Sequence, residues 1–209
     1  MSDGLRRFFG SAFRMGTAVA DDWLARARQW MLADAADLDP RCRVYRSASV
    51  HAMSGDPRAI RVGADTHVRG ELLVLAHGGR IQIGEWCYVG EGSRLWSAAE
   101  IVIEDRVLVA HGCEIHDWNG HPVDARQRHE HFRQIVTGGH PAVADSIGAS
   151  PIRIREDAWI GFGSTILKGV TIGARSIVGS CSVVTEDVPD DTLVVGAPAR
   201  PVRRLSGNE

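Results

Sequence analysis

The chain is poor in several residue types that mark other classes of protein. Of its 209 residues only four are cysteine, and no two of these stand in a C-x-x-C spacing: Cys42, Cys87, Cys113 and Cys181. That excludes the usual zinc ribbon and dithiol redox pair, so free thiols are expected. Lysine occurs once, at Lys168, and the net charge is only −2. Nothing in this balance favours binding to nucleic acid.

A long apolar run is also missing from the beginning of the chain. Arg6 and Arg7 stand before two phenylalanines, as they would at the start of an export signal. Arg14 and Asp21 interrupt the apolar region that export requires. We therefore expect a cytoplasmic protein.

Residues 1–43 are predicted to form a separate N-terminal helical segment. A loose apolar stripe with helical spacing runs between Thr17 and Pro40 and consists of Val19, Trp23, Trp30, Met31 and Leu38. One interpretation is a helix that packs over the end or the side of the main domain. The alternative is weak attachment to an anionic membrane surface through three phenylalanines and the nearby arginines: Phe8, Phe9 and Phe13.

The feature that is present in abundance is a six-residue repeat. Large aliphatic residues recur without a break of register at Ile154, Ile160, Ile166, Ile172, Val178 and Val184. Four positions after each comes a more compact residue, namely Ala158, Ser164, Val170, Ser176, Ser182 and Val188. A helix would rotate these two positions around its axis, so the pattern indicates short strands separated by corners.

The same repeat continues upstream in shorter runs and predicts an all-β fold. The aliphatic positions there are Val44, Val50, Val62, Val68, Val74, Ile83, Val89, Leu95, Ile103, Val109 and Ile115. Three strands per turn close a triangular coil, and coils stacked at the strand spacing bury one apolar ladder. We predict a parallel β-helix over residues 44–188 and a C-terminal tail over 189–209.

One interruption of the repeat, predicted at residues 117–153, is long enough to protrude from the coil. A rigid stacked prism has few cavities, so chemistry is expected on such an excursion and in grooves between copies. The excursion begins Asp117-Trp118-Asn119-Gly120-His121-Pro122-Val123-Asp124 and continues with Arg126, Arg128, His129, His131 and Arg133. Imidazole, carboxylate and guanidinium groups in one loop indicate more than a solubilising role.

Taken together, these motifs resemble the hexapeptide-repeat acyltransferases. The resemblance rests on the repeat, on Gly120-His121-Pro122-Val123, on Trp159-Ile160-Gly161 and on the tail Val195-Gly196-Ala197-Pro198-Ala199-Arg200. It extends over residues 44–205 and is strongest to the galactoside, maltose and nodulation acetyltransferases and to sugar O-acetyltransferases of polysaccharide clusters. It implies a left-handed β-helix. The handedness comes from this resemblance alone, because parallel crossovers are otherwise right-handed.

The resemblance implies transfer of an acetyl group from acetyl-CoA to a hydroxyl or amine, without a covalent enzyme intermediate and without a metal. His121 matches the family's general base. An imidazole with a pKa near ~6.5 suits this role, because it can take the acceptor's proton and return one to the departing thiolate. Asp117 or Asp124 would orient the ring, and the sequence does not choose between them. His116, five residues earlier, is a competing candidate for the base.

By the same resemblance, the acetyl-CoA contacts fall on six residues of the C-terminal half: Trp159, Phe162, Ser180, Thr185, Arg200 and Arg203. Backbone amides along a coil edge would bond the pantetheine arm, and the arginines would hold the nucleotide phosphates. The family assembles as homotrimers with each groove shared between adjacent prisms, and a flat-sided prism suits three-fold symmetry.

The chain departs from these relatives at positions that concern both substrates. Glu186 stands where the galactoside enzymes have a lysine, which weakens one donor-phosphate contact. Glu91 aligns with their acceptor-contacting asparagine. We expect Glu91, Asp117 and Arg126 to contact a saccharide acceptor. The excursion arginines suggest an anionic or nucleotide-linked sugar, while a neutral or lipid-linked saccharide or an antibiotic fits equally well.

A second class of enzyme shares this prism, namely the gamma carbonic anhydrases, which hold zinc with histidines from neighbouring subunits. His111 and His116 have that family's H-x-x-x-x-H spacing, and His77 lies one to two coils earlier. Three imidazoles around an open position would generate hydroxide near neutral pH. The other motifs of that family have no counterpart here, so this is the alternative function.

Overall fold

The computed structural model of the protein describes residues 31–32, 34–143 and 146–205. Most of the predicted N-terminal helical stripe and the predicted membrane contact lie outside these residues. Within them, no helix is both long enough and apolar enough to cross a bilayer.

Short strands follow one another around three faces, so that each turn of the coil contributes one strand to each face. Face A contains β1 (Asp37–Leu38), β4 (Ile60–Val62), β7 (Ile81–Ile83), β10 (Ile101–Ile103), β13 (Ile152–Ile154) and β16 (Thr171–Ile172). Face B contains β2 (Arg43–Val44), β5 (His67–Val68), β8 (Tyr88–Val89), β11 (Leu108–Val109), β14 (Trp159–Ile160), β17 (Ile177–Val178), β19 (Thr192–Gly196) and β20 (Ala199–Arg204). Face C contains β3 (Ser49–Ala52), β6 (Glu71–Val74), β9 (Arg94–Ser97), β12 (Glu114–His116), β15 (Thr165–Ile166) and β18 (Val183–Val184).

All strand pairs within a face are parallel except the last one. The terminal strands β19 and β20 form an antiparallel hairpin that closes face B. A 3₁₀ helix at Pro57–Ala59 fills one turn between faces C and A, and one α-helix, α1 (Ala125–Gly138), lies in the excursion. The predicted parallel coil of hexapeptide repeats is therefore confirmed.

Register between coils places the predicted aliphatic residues in one interior ladder. On face B, the inward row runs through Val44, Val68, Val89, Val109, Ile160, Val178 and Val194, each no more than 2 % exposed. Burying each such side chain contributes about 1.5–3 kcal/mol. This ladder is the hydrophobic core of the protein.

The compact residues at the following corners are small because the narrow interior leaves little room, and several of them are polar. The hydroxyl of Thr66 donates to the carbonyl of Gly84 at 2.7 Å, and that of Ser93 donates to Ala110 at 2.6 Å. Ser164 repeats the pattern by donating to Gly179 at 3.0 Å. Each buried hydroxyl thus satisfies a carbonyl of the next coil instead of remaining unpaired.

Cysteine takes the same interior positions. Cys42, Cys87 and Cys113 are buried free thiols, and Cys181 is an exposed one. Burial raises the pKa of Cys87 to about 11. The expectation of free thiols is confirmed, and the two repeat-position cysteines serve as small core residues.

Gly161 shows how closely adjacent coils approach. A Cβ at this position would lie 2.6 Å from the backbone nitrogen of Ser180 and 2.7 Å from the carbonyl oxygen of Val178. Neither backbone atom can move without displacing the next coil. The glycine of the Trp-Ile-Gly step is therefore required by packing.

The coil extends beyond both predicted boundaries. β1 and β2 already pair in parallel with β4 and β5, so the first coil begins at Asp37, within the segment predicted to be helical. At the other end, β19 continues face B into the predicted tail. The excursion spans 117–151, since face A resumes at Ile152.

The outward surfaces of the faces differ in polarity. The outward row of face A includes Arg61, Gln82, Val102 and Arg153. On face B, the outward row forms a continuous apolar ladder of Tyr88, Leu108, Trp159, Ile177 and Leu193. Leu108 and Trp159 are each 49 % exposed. We refer to these five residues as the face B ladder.

Candidate active site

The excursion leaves the corner between faces C and A, and a buried carboxylate anchors its root. Asp117 is fully buried and accepts hydrogen bonds from Ser97 Oγ at 2.6 Å, from the Ala98 amide at 2.7 Å and from the Ala99 amide at 3.0 Å. Burial raises the pKa of Asp117, and the hydrogen bonds oppose that rise. The amide of Ser150 donates to the Asp117 carbonyl, which joins the two ends of the excursion.

This position corrects the expectation that Asp117 contacts the acceptor or orients the base. Its carboxylate lies beneath the excursion, out of solvent, with its acceptor capacity used by the preceding coil. Asp124 is also engaged elsewhere, because its Oδ1 accepts from the Gln127 amide at 2.9 Å as the N-cap of α1.

His121 instead pairs with His131, which the sequence did not indicate as its partner. Its Nδ1 lies 2.9 Å from Nδ1 of His131, and the ring centroids are 5.1 Å apart with the planes at 73°. His121 is exposed, whereas His131 is only 7 % exposed. Burial lowers the pKa of His131, and the proximity of other histidines lowers it further.

The helix that carries His131 also went unrecognised in the sequence. Signals for it were present, since Asp124 is a favourable N-cap and Gly139 follows the last helical residue as C-cap. The apolar residues of α1 do not face the core: Phe132 and Val136 are 52 % and 61 % exposed. Without a buried apolar stripe, periodicity alone gives a weak helical signal.

His116, the competing base, lies on the outer surface of face C. Its ring stacks on Trp96 with centroids 5.0 Å apart and planes at 5°, and its Nε2 lies 3.0 Å from Oε2 of Glu114. Burial lowers the pKa of His116, while Glu114 acts in the opposite direction. These contacts hold the ring against the outer surface of face C.

The three histidines of the alternative zinc site lie against different aromatic residues. His77 packs on Trp118 with ring centroids 5.5 Å apart, and His111 approaches the edge of Tyr88 at 6.2 Å. His116 stacks on Trp96 as described above. Among residues 31–32, 34–143 and 146–205, no group of three or more potential ligand side chains is arranged to hold a metal ion. Within one chain the three imidazoles do not converge.

The expected donor residues Trp159, Phe162 and Ser180 follow face B toward the corner between faces B and C. Trp159 projects outward in the face B ladder, and Phe162 is 57 % exposed. The amides of Gly161, Gly163 and Cys181 donate to carbonyls of adjacent coils. In the part of the chain that the structure describes, the intervening amides of Phe162 and Ser180 make no such bond.

The remaining donor candidates lie near the C-terminal end of the coil. Thr185 is exposed just after β18, and Arg203 pairs in register with Leu193 on the closing hairpin. Arg200 Nη2 lies 3.5 Å from Glu186 Oε1. The residue that replaces the relatives' lysine therefore also engages one of the two candidate phosphate-binding arginines.

Of the acceptor candidates, Glu91 and Arg126 are exposed and belong to different corners of the coil. Glu91 lies at the corner between faces B and C, one corner away from the excursion, while Arg126 is in the first turn of α1. Arg128 donates to the Val123 carbonyl at 2.8 Å, and Arg133 lies 3.3 Å from Glu130. Two of the three excursion arginines thus have local partners, which weakens the case for an anionic acceptor.

Comparison with known proteins agrees with this architecture. Residues 151–186 match the family model described as bacterial transferase hexapeptide (six repeats). The chain is 30% identical over 158 residues to a probable acetyltransferase of Mycobacterium tuberculosis, covering 76% of this chain and 48% of that protein. It is 29% identical to the galactoside O-acetyltransferase of Escherichia coli, covering 66% of this chain and 60% of that protein. It thus spans about half of the first relative and less than two thirds of the second.

A solved structure extends the likeness over nearly the whole chain. The hexapeptide-repeat acetyltransferase of Vibrio cholerae, solved with acetyl-CoA, has a TM-score of 0.52 and 26% sequence identity. The match covers 98% of this chain and 91% of that chain. The coil described above is accordingly the left-handed parallel β-helix that the sequence predicted.

Proposed function

We propose that this chain, a left-handed β-helix of hexapeptide repeats, transfers an acetyl group from acetyl-CoA to a hydroxyl of a saccharide, with His121 as general base. The observation that carries this proposal is the exposed His121 ring, which a hydrogen bond holds at the root of the long excursion. The related galactoside enzyme supports a hydroxyl acceptor over an amine.

In the proposed reaction, Nε2 of His121 removes the proton of the acceptor hydroxyl while its oxygen attacks the thioester carbonyl. The tetrahedral intermediate then expels the CoA thiolate, which takes the proton back from His121. The amides of Phe162 and Ser180, which make no backbone hydrogen bond among the described residues, are proposed to bond the extended arm of the donor. Proton transfer by a positioned imidazole accelerates such a reaction by about 10²–10⁴-fold.

One chain does not bring this base to its donor residues, which favours an assembly with shared sites. His121 belongs to the corner between faces C and A, whereas Phe162 and Ser180 lie at the corner between faces B and C. The strands of the intervening face C are two to four residues long, so the face is up to about 13 Å wide at the strand rise. We propose a homotrimer in which the excursion of one subunit reaches the donor corner of its neighbour.

The face B ladder supplies an apolar surface for such an assembly. Replacing Leu108, an exposed member of this ladder, with glutamate is expected to convert the trimer to monomers, because it would place a charge in a desolvated contact. Light scattering coupled to size exclusion measures the mass. Val102→Glu, a matched change on the outward row of face A, should leave the mass at three chains. A wild-type protein of monomeric mass at micromolar concentration would contradict the shared site.

The ion pair between Glu186 and Arg200 leads to a prediction about donor affinity. Glu186→Lys is expected to tighten acetyl-CoA binding about five-fold, the effect of about 1 kcal/mol at an exposed site. The change frees the Arg200 guanidinium and adds a cation near the proposed phosphates. Isothermal titration calorimetry measures the Kd. Glu85→Lys, the same charge change at another corner, controls for net charge, and an unchanged or weaker affinity in Glu186→Lys would place the phosphates elsewhere.

The proposed function is tested by donor binding and then by product formation. Acetyl-CoA is expected to raise the melting temperature of the protein. Analogues that lack both the acetyl group and the nucleotide should leave the melting temperature unchanged. The protein is then incubated with acetyl-CoA and a panel of free glycosides, nucleotide sugars and amino sugars, and the products are analysed by mass spectrometry. Absence of acetyl-CoA binding at millimolar concentration would overturn the proposal.

A further inference from the structure

We propose that His131 is a positioning residue that holds His121 in the tautomer with hydrogen on Nδ1, so that Nε2 keeps the lone pair needed for proton abstraction. The inference rests on the proposed function for its catalytic consequence. The hydrogen bond itself is an independent structural claim, and the two can be tested separately.

The helix α1 buries His131 and leaves two of its apolar side chains exposed. Among the residues of α1 that the structure describes, His131 is the one buried side chain. Phe132 and Val136, which would ordinarily face a core, are exposed. Burying a polar ring is unfavourable unless it gains a hydrogen bond. The bond it gains is the one to Nδ1 of His121 at 2.9 Å.

The location of the shared proton decides which of the two rings donates. Two Nδ1 atoms at this distance share one hydrogen, so one ring donates and the other accepts. If His131 donated, His121 would carry its own hydrogen on Nε2 and could not act there as a base. If His121 donates, its Nε2 lone pair faces the exposed side of the ring. Only the second arrangement also survives protonation of His121, because an imidazolium has no lone pair to accept with.

The electrostatic environment of His131 determines its charge. Its Nε2 is buried and has no hydrogen-bond partner among the described residues. His121 from the excursion, His140 from the segment after α1 and His77 from the turn after β6 all act electrostatically on the ring. Burial and these neighbours lower the pKa of His131, which favours a neutral ring with its own hydrogen on Nε2 and an accepting lone pair on Nδ1.

Two variants separate this role from packing. Oδ1 of an asparagine occupies the same place along the side chain as Nδ1 of a histidine, so His131→Asn retains the acceptor. His131→Leu fills similar space without one. We expect kcat to fall about 10–100-fold in H131L, as for loss of a partner that orients a functional imidazole. In H131N, kcat should stay close to that of the wild type, and the KM for acetyl-CoA should be unchanged in both.

A spectroscopic measurement tests the hydrogen bond without reference to turnover. The full chain is labelled with ¹⁵N-histidine, and the His121 signals among its nine histidines are identified from their loss in His121→Ala. Wild type and H131N should show His121 protonated on Nδ1, while H131L should revert to the Nε2 tautomer that free histidine prefers. Melting temperatures verify that all variants are folded.

The outcomes distinguish the two proposals. If H131L and H131N lose activity equally, or if neither loses it, or if His121 carries its hydrogen on Nε2 in the wild type, the positioning role is overturned. If the tautomers behave as expected but no acceptor is acetylated, the hydrogen bond stands and the proposed function fails.

Discussion

Replacement of His121 by alanine is expected to lower kcat for acetyl transfer by about 10²–10⁴-fold, the range that removal of a general base produces. The KM for acetyl-CoA should change little, because the proposed donor contacts lie at a different corner of the prism. His121 is exposed, and Pro122 after it is buried, so truncating the imidazole should not unfold the loop. Release of the CoA thiol measures the rate.

His116→Ala is the control, since it removes another imidazole five residues earlier. That ring stacks on Trp96 and approaches Glu114, which gives it a structural explanation without catalysis. Turnover of the folded variant should therefore stay within a few-fold of wild type. The reverse result, with activity lost in His116→Ala and kept in His121→Ala, would transfer the role of base to His116.

The repeat made most of the fold predictable. A six-residue period determines which residue of each short strand faces the interior, and from Ile154 to Val184 every predicted aliphatic residue and every compact partner is buried. Prediction is this direct because one ladder position repeats the same environment in each coil. The fold thus follows from one local pattern.

The pattern becomes less reliable where the turns lengthen. Gly78 and Ala99 stand four positions after Val74 and Leu95, where the repeat predicts compact interior residues, but both lie in partly exposed turns after face C. Asn119, four positions after Ile115, is exposed in the excursion. Longer turns interrupt the six-residue spacing, although the next strand again places an aliphatic residue in the interior row. The first strand, β1, was missed for a related reason, since two residues leave almost no periodic signal.

The candidate site was only partly predictable for a different reason. The Gly-His-Pro motif identified His121, but its neighbours depend on how the excursion folds back on the coil. A carboxylate next to a histidine in sequence suggests an orienting pair, and Asp117 and Asp124 both satisfied that criterion. The structure uses one as an anchor and the other as a helix cap, while the partner of His121 comes from ten residues away on α1. Such a contact has no signature in the spacing.

Asp117→Ala is expected to lower the free energy of unfolding by about 3–5 kcal/mol, because it leaves two partly buried backbone amides without an acceptor and removes a third hydrogen bond. Ala98 and Ala99 supply those amides, and Ser97 supplies the hydroxyl. The same carboxylate fixes the root of the excursion, so His121 should also become more mobile. Urea unfolding of the purified protein gives the change in free energy.

Asp124→Ala is the matched comparison, because it removes the other carboxylate that sequence spacing places near His121. It should cost about 1 kcal/mol, the ordinary effect of losing a helix N-cap. Its consequences should be confined to α1, whereas those of Asp117→Ala should reach the preceding coil. Amide hydrogen exchange at residues 97–99 reports this difference. Equal and small losses of stability in the two variants would show that the excursion is anchored by its backbone pairing and not by the buried carboxylate.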